Sequence, residues 1–148
     1  MSQTIEQKLA ELGITLPTPV APLANYVPAV RTGNLLFISG QVSIDGAGKL
    51  STGKLGAGID IEAGRAAARL CAINLLAQTK AALGDLEKIV RVVKQVGFVN
   101  SAPDFVDQPK VMNGCSDLFV EVLGDKGRHA RSAVGIAALP FDAAVEVE

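Results

Sequence analysis

Two hydrophobic periods divide this 148-residue chain. Residues 4 to 12 carry the helical one: Ile5, Leu9 and Leu12 share a face, Thr4 and Gln7 have capping-box spacing, and Gly13 supplies a stop. The proline-rich LPTPVAP follows as an extended connector, so residues 1–25 read as an arm packed on the body or on a neighbour. From Tyr26 the period shortens. YVPAVRTGNLLFISGQ reads as a strand, a turn at Thr32-Gly33-Asn34 and a strand from Leu35 to Ser39. After a glycine-rich loop from Asp45 to Gly58, Asp60 caps a helix to about Leu83, with Gly84 as its stop. Its apolar stripe includes Ile61, Ala68, Cys71, Leu75 and Leu76. Residues 88–99, KIVRVVKQVGFV, predict a strand with a bulge at Gly97. Pro109 opens a second long helix that turns Val111, Cys115, Leu118, Phe119 and Val122 inward. Two strands, about Arg131 to Ala138 and Ala143 to Val147, close the chain around Leu-Pro-Phe-Asp.

The order β-β-α-β-α-β-β implies an α+β domain over residues 26–148, a mixed sheet with two long helices on one face. Nothing remains to cover the other face except the short arm. Composition sharpens this point. The chain is 49% hydrophobic and only 20% charged, with mean hydropathy +0.33. That suits a core plus subunit interfaces. No apolar run approaches the roughly 18 residues of a membrane helix.

Charge and motifs exclude several functions. Fourteen basic and fifteen acidic residues give a net charge of -1. No basic block answers a phosphate backbone, so nucleic-acid binding is not expected. Two cysteines, Cys71 and Cys115, lie in apolar helical patterns and read as core. With no basic-then-apolar leader, the expected compartment is the cytoplasm. One histidine, His129, and these cysteines show no metal-ligand spacing, so no metal is expected. GKLSTGKL at 48–55 approaches a phosphate-loop motif but has Leu55 where a hydroxyl is needed, and Gly56 and Gly58 intervene before the helix.

Candidate chemistry gathers in the tail, RSAVGIAALPFDAAVEVE. A buried guanidinium needs a partner, either a local acid such as Asp125 or the carboxylate of a substrate. If the last two strands pair around the Leu139–Asp142 loop, Glu146 opposes Gly135 and shares a face with Arg131. The two would then stand roughly 13 Å apart, the ends of one small-molecule pocket. Ser39 ends its strand as a turn former or a pocket hydroxyl. Tyr26 is a core ring or a hydrogen-bond donor. Asn113 lies off the main apolar stripe and reads as exposed.

Together these segments resemble the RidA (YjgF) family of imine deaminases from about Tyr26 onward. The tail is similar to the family's arginine, apolar strand, Leu-Pro turn and V/I-E-V/I-E ending. GNLLFISGQ, the later glycine-rich loop, Asn74 and the Tyr26 to Val30 segment also fit. The resemblance implies a chorismate-mutase-like fold, a homotrimeric barrel with sites between subunits, and cofactor-free hydrolysis of 2-imino acids to 2-keto acids and ammonia. It assigns the substrate carboxylate to Arg131 and the attacking water to Glu146, with Tyr26, Ser39 and Asn113 lining the pocket. Departures are Ala133 for a family cysteine, Ser116 for a common tyrosine, Asn25 for a proline, about four extra residues between Phe105 and Asn113, and the arm. Two other functions compete: a non-catalytic binder of small carboxylates, and an RNA-cleaving protein, a role ascribed to some members that the charge balance opposes.

Overall fold

A computed structural model describes residues 1–19, 21–22 and 24–148. Val20 and Leu23 of the connector lie outside the described residues. The first helix, α1 (Ile5–Glu11), carries the expected capping box, with the Thr4 side chain accepting from Gln7 N and the Gln7 side chain accepting from Thr4 N. The helix packs on the body. Ile5 and Leu9 enter the main core, Ile5 N donates to Glu87 Oε1 at 2.6 Å, and Glu6 pairs with Lys80 at 2.7 Å. Residues that read as an arm are therefore joined to the domain core.

Strands β1 (Ala29–Thr32) and β2 (Leu35–Ile38) form a hairpin closed by Gly33 and Asn34, with Gly33 at φ +57°. The chain continues through Ser39 and Gly40 into β3 (Gln41–Val42). The glycine-rich loop carries two short segments, β4 (Lys54–Leu55) and β5 (Gly58–Ile59). Helix α2 (Ile61–Leu83) begins at an Asp60 cap, whose side chain accepts from Ala63 N, and ends at Gly84 in the left-handed region. Then come β6 (Lys94–Asn100), α3 (Gln108–Leu123), β7 (Ala130–Ile136) and β8 (Val145–Val147).

The main sheet runs β3-β8-β6-β7. Helices α2 and α3 cover one face, and the five inward residues expected of α3 are all buried. Cys71 and Cys115 are fully buried in this core, and burial pushes both thiols well above their ordinary pKa. The other face stays open. Val134 on β7 is exposed and Phe98 on β6 half-buried, and Val30, Leu35 and Phe37 of the separate hairpin are exposed as well.

Three expectations change. Strand β6 starts at Lys94, because Leu86–Lys88 forms a 3-10 turn and Val90 and Val93 are exposed. Valine-rich composition does not distinguish an extended surface segment from a paired strand. Gly97 makes no bulge and pairs in register with Ala133 and Val147. Its missing side chain makes room for Met112 of α3, which a Cβ would strike. Most consequential, β7 and β8 do not form a hairpin. Strand β6 lies between them, parallel to β7 and antiparallel to β8.

Candidate functional site

The inserted strand reverses the expected parity. Arg131 is the register partner of Gln95, whereas Glu146 partners Phe98 and, through it, Val134. Gln95 and Phe98 are three apart on an unbulged strand, so their side chains project to opposite faces. Arg131 thus lies on the helix-covered side and Glu146 on the open side. Two strand spacings and three residues of offset put their Cα atoms about 14 Å apart. A single pocket on one face of one chain does not contain both.

The cationic half is built by β7 and α3. Strand β7 is an edge, and Arg131 reaches from it to the helix above. Its Nη1 donates to Asn113 Oδ1 at 2.9 Å and Ser116 Oγ at 3.1 Å, and Nη2 donates to the Pro109 carbonyl at 3.5 Å. Asn113 is half-buried by this contact, although its helical position reads as exposed. No acid lies within salt-bridge distance of Arg131 among the described residues, and Asp125 pairs instead with Arg128. A guanidinium has five N–H donors. Three contacts leave Nε–H and one Nη2–H, the adjacent pair that suits a two-pronged carboxylate.

The acidic half sits where β2 passes into β3. Glu146, half-buried on β8, lies across from Val42 and rests its carboxylate on Gly40, where a Cβ would collide with Oε1. Burial, and secondarily the charge of Glu148, push its pKa up. Among the described residues it has no ion-pair partner. Next to Gly40, Ser39 donates its hydroxyl to the Val27 carbonyl at 2.7 Å, which ties the strand to the residue after Tyr26. The Tyr26 ring is 57% exposed. Ser39, Tyr26 and Glu146 therefore belong to one end of the sheet, and Arg131 and Asn113 to the other.

Sequence reading places neither Gly40 nor His129 in these halves, and takes Ser116 only as a departure from the family pattern. Two spacings held the signal. Ser116 follows Asn113 by three, the same helix face, and His129 precedes Arg131 by two, the same strand face. Gln95 was also missed. It is 1% exposed, and neither side-chain amide atom has a protein partner.

Other candidates fall away. Lys54 of the near phosphate-loop is tied to Asn100 Oδ1 and the Ala137 carbonyl, so it holds loops together. Among the described residues no cluster of three metal-ligating side chains occurs, and no helix is long and apolar enough to cross a membrane. Two open clefts, of about 380 and 580 Å³, lie at the α1–α3 junction and beside the start of α2. Neither contains Arg131 or Glu146.

Comparison with known proteins decides the family. Residues 6–147 match the model described as "YjgF/chorismate_mutase-like, putative endoribonuclease". The chain belongs to the YjgF/RidA family. It is 50% identical to protein TCP17 of Trypanosoma cruzi, over 99% of this chain and 92% of that one. A solved structure of the protein Atu1372 from Agrobacterium tumefaciens superposes with TM-score 0.90 at 54% identity, covering 97% and 90% of the two chains. TdcF of E. coli, solved with bound serine, is more distant at TM-score 0.62 and 25% identity, covering 90% and 91%. The YjgF/RidA fold is thus established for this chain, with mixed sheet and layered helices. Ser116 supplies one of the oxygens that hold Arg131.

Proposed function

We propose that this protein hydrolyses small 2-imino acids to 2-keto acids and ammonia. One observation carries the reading: Arg131 is a half-buried cation held only by neutral oxygens, with two adjacent N–H groups still unspent. A desolvated guanidinium without an acid attracts a carboxylate strongly. An imine carbon next to that carboxylate is already electrophilic, so catalysis needs orientation, a placed water and proton transfer. Glu146 suits the water. Its raised pKa makes it a better base than an ordinary surface carboxylate and lets it hand the proton on to the leaving nitrogen. The water oxygen adds to the imine carbon, the C–N bond breaks, and ammonia leaves with the transferred protons. Ser39 and Tyr26 would line the acidic half, and Asn113 keeps Arg131 in place.

Because the two halves occupy opposite edges, the working site joins two copies. The β7 edge of one copy would meet the β3 edge of the next, a head-to-tail contact that closes into a ring, here a trimer. Val134 on the open sheet face, with the exposed Val30 and Phe37 of the hairpin, would line its interior. An amino acid bound to the relative TdcF supports a small carboxylate ligand. Against catalysis stands Ala133, which follows Arg131 on the same face and offers no thiol; a carboxylate sensor using the same clamp is the second reading. Release of ammonia from 2-aminoacrylate generated in situ separates the two. Wild-type protein should accelerate it and Arg131→Ala should not; equal rates with and without protein reject the enzyme.

A further inference from the structure

His129 is the only histidine of the chain, and its ring is held on three sides. Nδ1 lies 2.6 Å from the Gly127 carbonyl, Nε2 lies 3.0 Å from Ser116 Oγ, and the Phe119 ring meets it edge-on with centroids 5.8 Å apart. A carbonyl only accepts, so Nδ1 carries a proton. The neutral ring therefore presents a bare Nε2, and the Ser116 hydroxyl must donate to it. Arg131 Nη1 meanwhile donates to the same Ser116 oxygen. The Ser116 proton is then fully used inside the protein.

Protonation of the ring changes this arrangement. Both Nε2–H and Nη1–H then donate to Ser116 Oγ, and the hydroxyl proton must turn elsewhere. We propose that Ser116 and His129 are positioning residues of the Arg131 carboxylate site: the ring decides whether the Ser116 proton is spent on Nε2 or offered to the bound anion. The couple rests on the carboxylate-clamp reading of Arg131 and specifies how that clamp is regulated. A charged ring also adds a second cation beside the guanidinium, and both effects favour an anion.

Charged groups stand on the elements around the ring, and Arg91 donates to the carbonyl of Arg128 next to it. Asp125 and Arg128 on the 3-10 turn pair with each other, and Lys126 lies on the same turn. On α3, Asp117 and Glu121 are engaged by Arg65 and Arg69 of α2. Lys94 lies beside Ala130 on β6. The Cys115 thiol, raised by burial and drawn back only partly by Arg131, stays protonated through the histidine range.

The test is calorimetric binding of 2-oxobutanoate and of acetate to the full-length protein from about pH 5 to about pH 8, with the ring followed by its unambiguous ¹⁵N signals. Affinity of the wild type should weaken about fivefold as pH rises from about 5 to about 8, the worth of one hydrogen bond. By linkage, the bound anion must in turn favour the protonated ring. His129→Gln and Ser116→Ala should bind without that slope, and Ser116→Thr should restore it. Circular dichroism and molecular size matching the wild type exclude misfolding as the cause. An unchanged slope in folded His129→Gln overturns the couple and leaves the Arg131 clamp standing. A slope with acetate but no binding of 2-oxobutanoate supports the couple and rejects the 2-imino acid reading. Failure of both anions to bind overturns both.

Discussion

At the β7 edge a cation is cradled by three neutral oxygens, whereas beside the β3 edge an acid is pressed onto a glycine with no partner cation among the described residues. Each half is electrostatically incomplete. A half-buried charge without its opposite is costly to keep. The topology keeps Arg131 and Glu146 from pairing, because β6 separates their strands and sends them to opposite faces. Incompleteness at both edges makes sense if each is completed by the other edge of another copy and by the ligand between them.

The comparison breaks most sharply at Arg131. Replacing it with alanine removes two charge-assisted bonds to a carboxylate, so affinity for 2-oxobutanoate should fall about a hundredfold to a thousandfold. Calorimetry reads this directly. A loss below tenfold would mean that some other group holds the anion.

Gly40→Ala attacks the other edge. The new methyl falls on the Glu146 carboxylate, which must swing out or strain the β2–β3 passage. Overpacking of this kind costs about 1–3 kcal/mol, seen as a lower midpoint in urea, and turnover should drop with it. Wild-type stability together with wild-type turnover would show that the contact is soft.

Glu146→Gln separates stability from activity. The folded carboxyl holds its proton above the ordinary pKa of 4.5, for burial and then Glu148 disfavour its charge. Between the unfolded and folded values the folded chain binds more protons than the unfolded one. Wild-type stability therefore falls as pH rises through that window and stays reduced above it. The glutamine variant should lack this decline and match or exceed the wild type at pH 7, while losing turnover. Thermal melts from pH 4 to 7 check it, and a steeper decline in the variant would contradict the assignment.

The smallest effect lies beneath the cationic half. Gln95→Leu removes an amide without protein partners from a fully buried site and should raise stability by about 1 kcal/mol. A loss instead would mean that the amide organises the floor under Arg131.

Local rules made much of this legible from residues alone. The Thr4 and Asp60 caps, the Gly84 stop, the Gly33-Asn34 turn and the inward face of α3 are set by neighbours within a few positions. Pairing of the last two strands is not local. A short loop such as Leu139–Asp142 commonly joins a hairpin, but here Phe141 and Asp142 adopt left-handed backbone, φ +57° and +59°, and carry the chain across β6. The tail draws attention to Arg131 and Glu146, yet strand parity joins them on a face they do not share. Asn113 was misjudged for a related reason. Helical periodicity marks it as off the core stripe but does not show that an arginine from an edge strand reaches over to it.

The central claim is that each site takes Arg131 from one copy and Glu146 from another, and subunit mixing tests it most directly. Arg131→Ala and Glu146→Gln proteins, each inactive alone, are refolded together at equal amounts and assayed for ammonia release from 2-aminoacrylate. Random assembly into head-to-tail rings places both wild-type halves together in about a quarter of the sites, so about a quarter of wild-type activity should return. If mixed oligomers of wild-type size form and remain inactive, the site does not span two copies.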